Sequence, residues 1–143
     1  MHLDPSALSI LQAVFGMGLL TLVMAGWMTV VRMAAMQKAG VKLQDAAHTS
    51  ALPTLLPSSA TRVADNYNHL MEAPTVFYAV ALGVVVAGLA DPLYAACAWA
   101  FLVIRVLHSL VQATINRVWL RASLYTFSWT ALAVMIVRAV LAV

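Results

Sequence analysis

From Ala7 to Val31 the chain runs for 25 residues without a charged side chain. As a helix rising ~1.5 Å per residue, that stretch exceeds the ~30 Å hydrocarbon thickness of a bilayer. One tilted membrane-crossing helix accounts for it. A cleavable leader would carry cations ahead of a core of about 7 to 15 apolar residues, whereas here Asp4 precedes the run and Arg32 follows it. Further long apolar runs lie at about 62–90, 92–116 and 120–143. The expected fold is therefore an all-α integral membrane bundle of four transmembrane helices forming one domain over residues 1–143. Composition agrees, because 64% of residues are hydrophobic and 9% charged, against roughly 25% charged in soluble domains. Disorder and a nucleic-acid module are excluded. The single cysteine, Cys97, has no partner for a disulfide and reads as a small buried hydrophobe.

The one long connection, about 37–61, holds Lys38, Lys42, Asp45, Pro53, Pro57, Ser58 and Ser59, which is loop chemistry. His48 in this loop and His2 at the start of the chain read as solvated. Asp91-Pro92 breaks the second run from the third, and its proline suits the first turn of a new helix. Arg32, Lys38, Lys42, Arg62, Arg117 and Arg121 cluster around the first and third connections, whereas the N-terminal segment and the Asp91-Pro92 turn carry no Lys or Arg. The positive-inside rule then puts those six cations at the cytoplasm and both chain ends on the opposite side. Two cations break the pattern. Arg138 sits near the end of its run and can snorkel to the interface, but Arg105 lies ~18 Å along a helix from Arg117, deep in the hydrocarbon layer.

A charge at that depth costs several kcal/mol unless it is paired or wet. At 100° per residue Arg105, His108, Ser109, Gln112 and Asn116 share one side of the third helix, and Arg62, Asp65, Asn66, His69 and Glu72 recur at three- and four-residue steps on the second. The second helix continues past Pro74 as a small-residue row, Ala79, Gly83 and Ala87, of the kind that lets helices approach closely. The two helices are antiparallel, so distance from Arg62 and Arg117 matches His69 with His108, Asn66 with Gln112, and Glu72 with Arg105. Facing stripes would give Arg105 its counter-charge from Glu72 and Asp65, directly or through a neighbouring subunit. So many polar groups opening toward a basic rim favour a wet pocket for an anionic ligand over pure structural glue.

His69, His108 and Glu72 are types that could ligate zinc or iron, but no paired-histidine metal motif supports this, and no metal is expected. Gly-rich phosphate loops, a GxSxG elbow and a cysteine-nucleophile pattern are all absent from the sequence. Trp27, Trp99, Trp119 and Trp129 read as core filler or as interface anchors near the span ends.

The segment Arg62-Val-Ala-Asp-Asn-Tyr-Asn-His-Leu-Met-Glu72-Ala-Pro-Thr-Val-Phe77-Tyr resembles the MAPEG family, membrane-associated proteins in eicosanoid and glutathione metabolism. Trp99-Ala-Phe-Leu-Val-Ile-Arg105-Val-Leu-His108-Ser-Leu-Val-Gln112, continuing through Asn116-Arg117 to Leu124-Tyr125, is similar to the family's third helix and the turn into its fourth. With the four-helix layout, the likeness spans essentially the whole chain and looks closest to the bacterial branch. The resemblance implies a homotrimer in the bacterial inner membrane that binds glutathione as co-substrate in the cytosolic half of the subunit interface. Arginines there hold its carboxylates and stabilise its thiolate, which attacks a lipophilic small molecule or reduces a lipid hydroperoxide.

Carried onto this chain, the resemblance makes Arg62, Asn66, His69, Glu72, Arg105, His108 and Gln112 ligand-binding residues. Arg117 or Arg121 becomes the catalytic, thiolate-stabilising cation, and the spacing does not choose between them. The family's Arg-three-Asn-two-Glu pattern is matched by Glu72 but meets His69 at the Asn position and Asp65 at the Arg position. Asp65 would repel a ligand carboxylate unless Arg62 takes over. The expected function is a thiol-dependent transferase or peroxidase. The rivals are a non-catalytic membrane protein, either a lipid-binding module or an accessory subunit of a larger complex, and proton or ion passage along the Arg, His and Glu stripe.

Overall fold

The structure is a computed structural model that describes residues 4–42, 44 and 52–143. The described residues form six helices: α1 (Pro5–Ala39), α2 (Leu52–Leu55), α3 (Ser58–His69), α4 (Ala73–Val86), α5 (Pro92–Ala113) and α6 (Val118–Ala142). Four spans are long and apolar enough to cross a membrane: α1, α3 with α4 taken together, α5, and α6. Asp45 and His48 in the long connection, and His2, lie outside the described residues.

Local chemistry fixes the helix ends. Pro5 opens α1 while the Asp4 carboxylate accepts hydrogen bonds from the Ser6 and Ala7 amides at 2.9 and 3.3 Å, satisfying orphan donors of the first turn. At the other end Gly40 adopts a left-handed φ of 67°, and the Gly40 and Val41 amides return to the Gln37 and Met36 carbonyls. That is a glycine-terminated Schellman ending. The expected boundary at Val31 was too early. No helix breaker intervenes before Gly40, so α1 continues through Arg32 and Lys38 for 35 residues, ~52 Å in all, and reaches beyond a bilayer's hydrocarbon layer. The connection is shorter than expected for the same reason: Leu52 and Leu56 pack with Met36 and Ala60 in a small apolar cluster, and α3 begins at Ser58.

The second span is not continuous. Pro74 has no amide to donate, and its ring would collide with the carbonyl four residues back, so the helix opens at residues 70–72. There the Leu70 amide is shared between the Asn66 and Tyr67 carbonyls, and the amides of Met71 and Glu72 turn to carbonyls three residues back, on Asn68 and His69. The third span stops at Ala113 rather than Asn116, because Asn116 takes a left-handed φ of 48° in the turn to α6.

The core joins all four spans. α5 packs against α1, α3 and α6, and α4 against α1 and α6. Phe77 of α4 stacks on Phe101 of α5 with ring centroids 4.5 Å apart and planes within 9°. Gly16 lets α1 come close to α5, since a Cβ there would stand 2.6 Å from the Leu102 Cδ2 and that side chain would have to shift. Phe15, Leu22, Val86 and Phe127 are exposed on the outer surface, as lipid-facing side chains of a membrane protein are. The row Ala79, Gly83 and Ala87 also faces outward, with nothing within 4 Å of a Cβ built on Gly83. The close approach expected of it is not made within the chain. Cys97 is half-buried against the core.

Arg138 has a specific partner rather than simple access to water. Its guanidinium donates two hydrogen bonds to the Asp91 carboxylate, at 3.1 and 2.7 Å, and lies 4.4 Å from the Tyr94 ring centroid. Asp91 also caps α5 through the Tyr94 amide. The Arg138 hydrogen bonds, then the Tyr94 amide, hold the Asp91 carboxyl at about 2, below its ordinary 3.8.

Candidate functional site

Register along α3 and α5 brings the two polar stripes together. Asn66 Nδ2 donates to Gln112 Oε1 at 3.2 Å, with both residues wholly buried. One turn on, the rings of His69 and His108 meet edge to face with centroids 6.3 Å apart. Matching by distance from the basic ends thus pairs the residues it was expected to pair at these two levels.

At the third level it does not. Arg105 is completely buried, and its Nε, Nη1 and Nη2 have no hydrogen-bond partner among the described residues. Its guanidinium carbon lies 5.3 Å from the Phe101 ring centroid and 5.2 Å from that of Tyr125. The expected counter-charges are elsewhere. Opening of the helix at residues 70–72 turns the Glu72 carboxylate onto His69 Nδ1 at 3.0 Å and leaves its side chain 55% exposed. Asp65 is exposed on the other side of α3, lining a separate cleft with Arg32, Thr61 and Asn68. Aromatic faces attract a cation, but they accept no strong hydrogen bond. Ser109 Oγ, Gln112 Nε2 and Asn66 Oδ1 are likewise buried without partners, so the interior stripe holds more polar capacity than the described residues satisfy.

Toward the α5–α6 turn a cleft of about 250 Å³ is lined by His69, Glu72, His108, Arg121 and Tyr125, with Val118 and Ala122 as its apolar side. Arg121 is held there by Asn116, whose left-handed backbone presents Oδ1 to a guanidinium nitrogen at 2.8 Å. Arg117 caps α6 as an exposed residue and lines no part of the cleft. Arg62 is half-buried, its Nε has no hydrogen-bond partner among the described residues, and it too lies off the cleft. Among the described residues no three His, Cys, Asp or Glu side chains form a set that could hold a metal ion.

Tyr125 and Phe101 were not singled out from sequence. Tyr125 stands four residues after Arg121, hence on the same face of α6, and its ring lies 6.4 Å from that of His108. That spacing was the available signal. Phe101 gives none, since four residues before Arg105 it is one apolar side chain among many.

A family model described as the MAPEG family matches residues 10–141 of the 143. The chain belongs to the MAPEG family. It is accordingly an integral membrane protein with four helical spans. No curated protein and no solved structure gives a match to the chain.

Proposed function

We propose that this MAPEG protein is a membrane transferase or peroxidase that uses glutathione or a related thiol against a lipophilic electrophile or a lipid hydroperoxide. The observation that carries the reading is the cleft, where the Arg121 guanidinium stands with Tyr125, His108, His69 and Glu72 beside an apolar wall. A fixed cation in a partly desolvated cleft favours the thiolate over the thiol. Of the two candidate arginines, Arg121 therefore takes this role and Arg117 does not. Glu72 is placed to receive the ligand's ammonium group. Arg105, whose donors have no partner among the described residues, is the deep anion-seeking group. Asp65 faces another cleft, which lifts the objection that it would repel a carboxylate.

In the same reading, both termini lie outside the cytoplasm, the membrane is the bacterial inner membrane, and three copies assemble. The thiol enters from the cytoplasmic face and the apolar substrate arrives laterally from lipid. The test is conjugation of glutathione to an aryl halide by purified protein. Wild type is expected to turn over, and Arg121→Gln to lose roughly 10²-fold in kcat, the scale of removing one group that stabilises developing charge. Absence of turnover with any thiol refutes the reading.

A second reading has its own observation. An apolar groove of about 380 Å³ between α4 and α6, lined by Gly83, Ala87, Ile136 and Val140 among others, suits a lipid chain and a non-catalytic lipid-binding protein. Saturable lipid binding without turnover would favour it.

A further inference from the structure

We propose that His69, oriented by Glu72, is the general base of the cleft and accepts the proton of the nucleophile bound there; this deepens the thiol reading above and rests on it. The pair exists because the second span opens at residues 70–72. Glu72 thereby turns back onto the last residue of α3, its carboxylate 3.0 Å from His69 Nδ1. A carboxylate on Nδ1 selects the tautomer that carries its proton there, leaves the Nε2 lone pair free, and stabilises the imidazolium once a second proton arrives. Both side chains line the cleft that Arg121 enters from α6.

The neighbours divide the chemistry. Arginine stays protonated, so Arg121 can stabilise an anion but cannot accept a proton from it. With Arg121 alone the thiol proton would have to leave for solvent. The other titratable and charged groups around His69 are Glu72 beside it, His108 and Arg105 on α5, and Arg121 and Tyr125 on α6. On the α1 side, Arg32 lines the separate cleft with Asp65. Among these Glu72 is the one hydrogen-bonded to the imidazole, which makes His69 the acceptor with its charge already balanced.

The S–H bond breaks, its proton passes to His69 Nε2, and the electron pair stays on sulfur beside Arg121. The sulfur forms a C–S bond with the electrophilic carbon. The pair displaced from that carbon departs with a halide, or moves to the far end of a conjugated double bond, where the imidazolium returns the proton.

A pair that merely closes the end of α3 would take up no ligand proton, so the deciding quantity is a proton count. Glutathione is titrated into the purified protein by calorimetry in buffers of different ionisation enthalpy, while thiolate is followed by its ultraviolet absorbance. Wild type is expected to form thiolate with almost no proton released to buffer. His69→Asn is expected to release about one proton per thiolate formed, or to form at least tenfold less thiolate. Release of about one proton per thiolate by the wild type itself overturns the proposal, and this needs no variant to fold. Unchanged retention in a folded His69→Asn protein overturns it as well. Absence of any thiolate in the wild type overturns this inference and the thiol reading together, whereas the other two refutations leave the thiol reading standing.

Discussion

Arg105→Met separates a binding residue from a structural one. A lone charge near the middle of a membrane helix costs about 2.5 to 3.5 kcal/mol. Arg105 carries that cost with no hydrogen-bond partner among the described residues. Against it stand the two ring contacts with Phe101 and Tyr125, each returning about 0.5 to 2 kcal/mol. Methionine keeps much of the length, adapts to an irregular gap and orphans no donor. The ligand-free variant should therefore lie between about 1.5 kcal/mol less and about 2.5 kcal/mol more stable than wild type. Affinity for glutathione should fall at least tenfold, since hydrogen bonds to charged groups contribute about 1.5 to 3 kcal/mol. Equilibrium unfolding in mixed micelles measures the first quantity and calorimetry the second. A loss of about 3 to 5 kcal/mol in Arg105→Met and in Glu72→Leu, regained in the double variant, would mean a buried structural ion pair. It would refute the unpaired reading of Arg105.

At the Asp91 turn, the folded-state carboxyl lies at about 2 against its ordinary 3.8, so its contribution is complete above the ordinary value and is lost as pH falls from there through the folded one. Thermal unfolding should show a drop over that acid range, absent from Asp91→Asn. Asn66→Leu leaves Gln112 buried without its 3.2 Å partner and should cost about 1 to 3 kcal/mol, with Asn66→Leu/Gln112→Leu recovering much of it by unfolding titration. If the cation pattern sets orientation, a cysteine introduced at Lys42 should react with an impermeant label from the cytoplasmic side only, and labelling from the opposite side would reverse the assignment.

The spans were legible because lipid leaves a chain few options, and uncharged runs with Asp91-Pro92 between them state those options directly. The facing of Asn66 with Gln112 and of His69 with His108 was legible for a geometric reason: antiparallel helices with known ends fix level by counting residues. The same counting failed at Glu72, because it assumes an unbroken helix and Pro74 opens this one at residues 70–72, directly after His69. It failed for the end of α1 because charge was taken as a sign of loop, although Arg32 and Lys38 carry no helix-breaking chemistry and only Gly40 does. The contact of Arg105 with the Tyr125 ring depends on how α6 rotates against α5, which no spacing in the sequence specifies. Arg121 was distinguishable from Arg117 only once the turn at Asn116 was in view.

If the cleft at Arg121 binds a thiol as its anion, calorimetry on the purified protein should distinguish glutathione from its S-methylated analogue. Glutathione should bind with a dissociation constant on the order of millimolar, about −4 kcal/mol, the analogue should bind more weakly, and Arg121→Gln should lose that preference. Equal affinity for the two ligands, or no heat with either at high millimolar concentration, would contradict it.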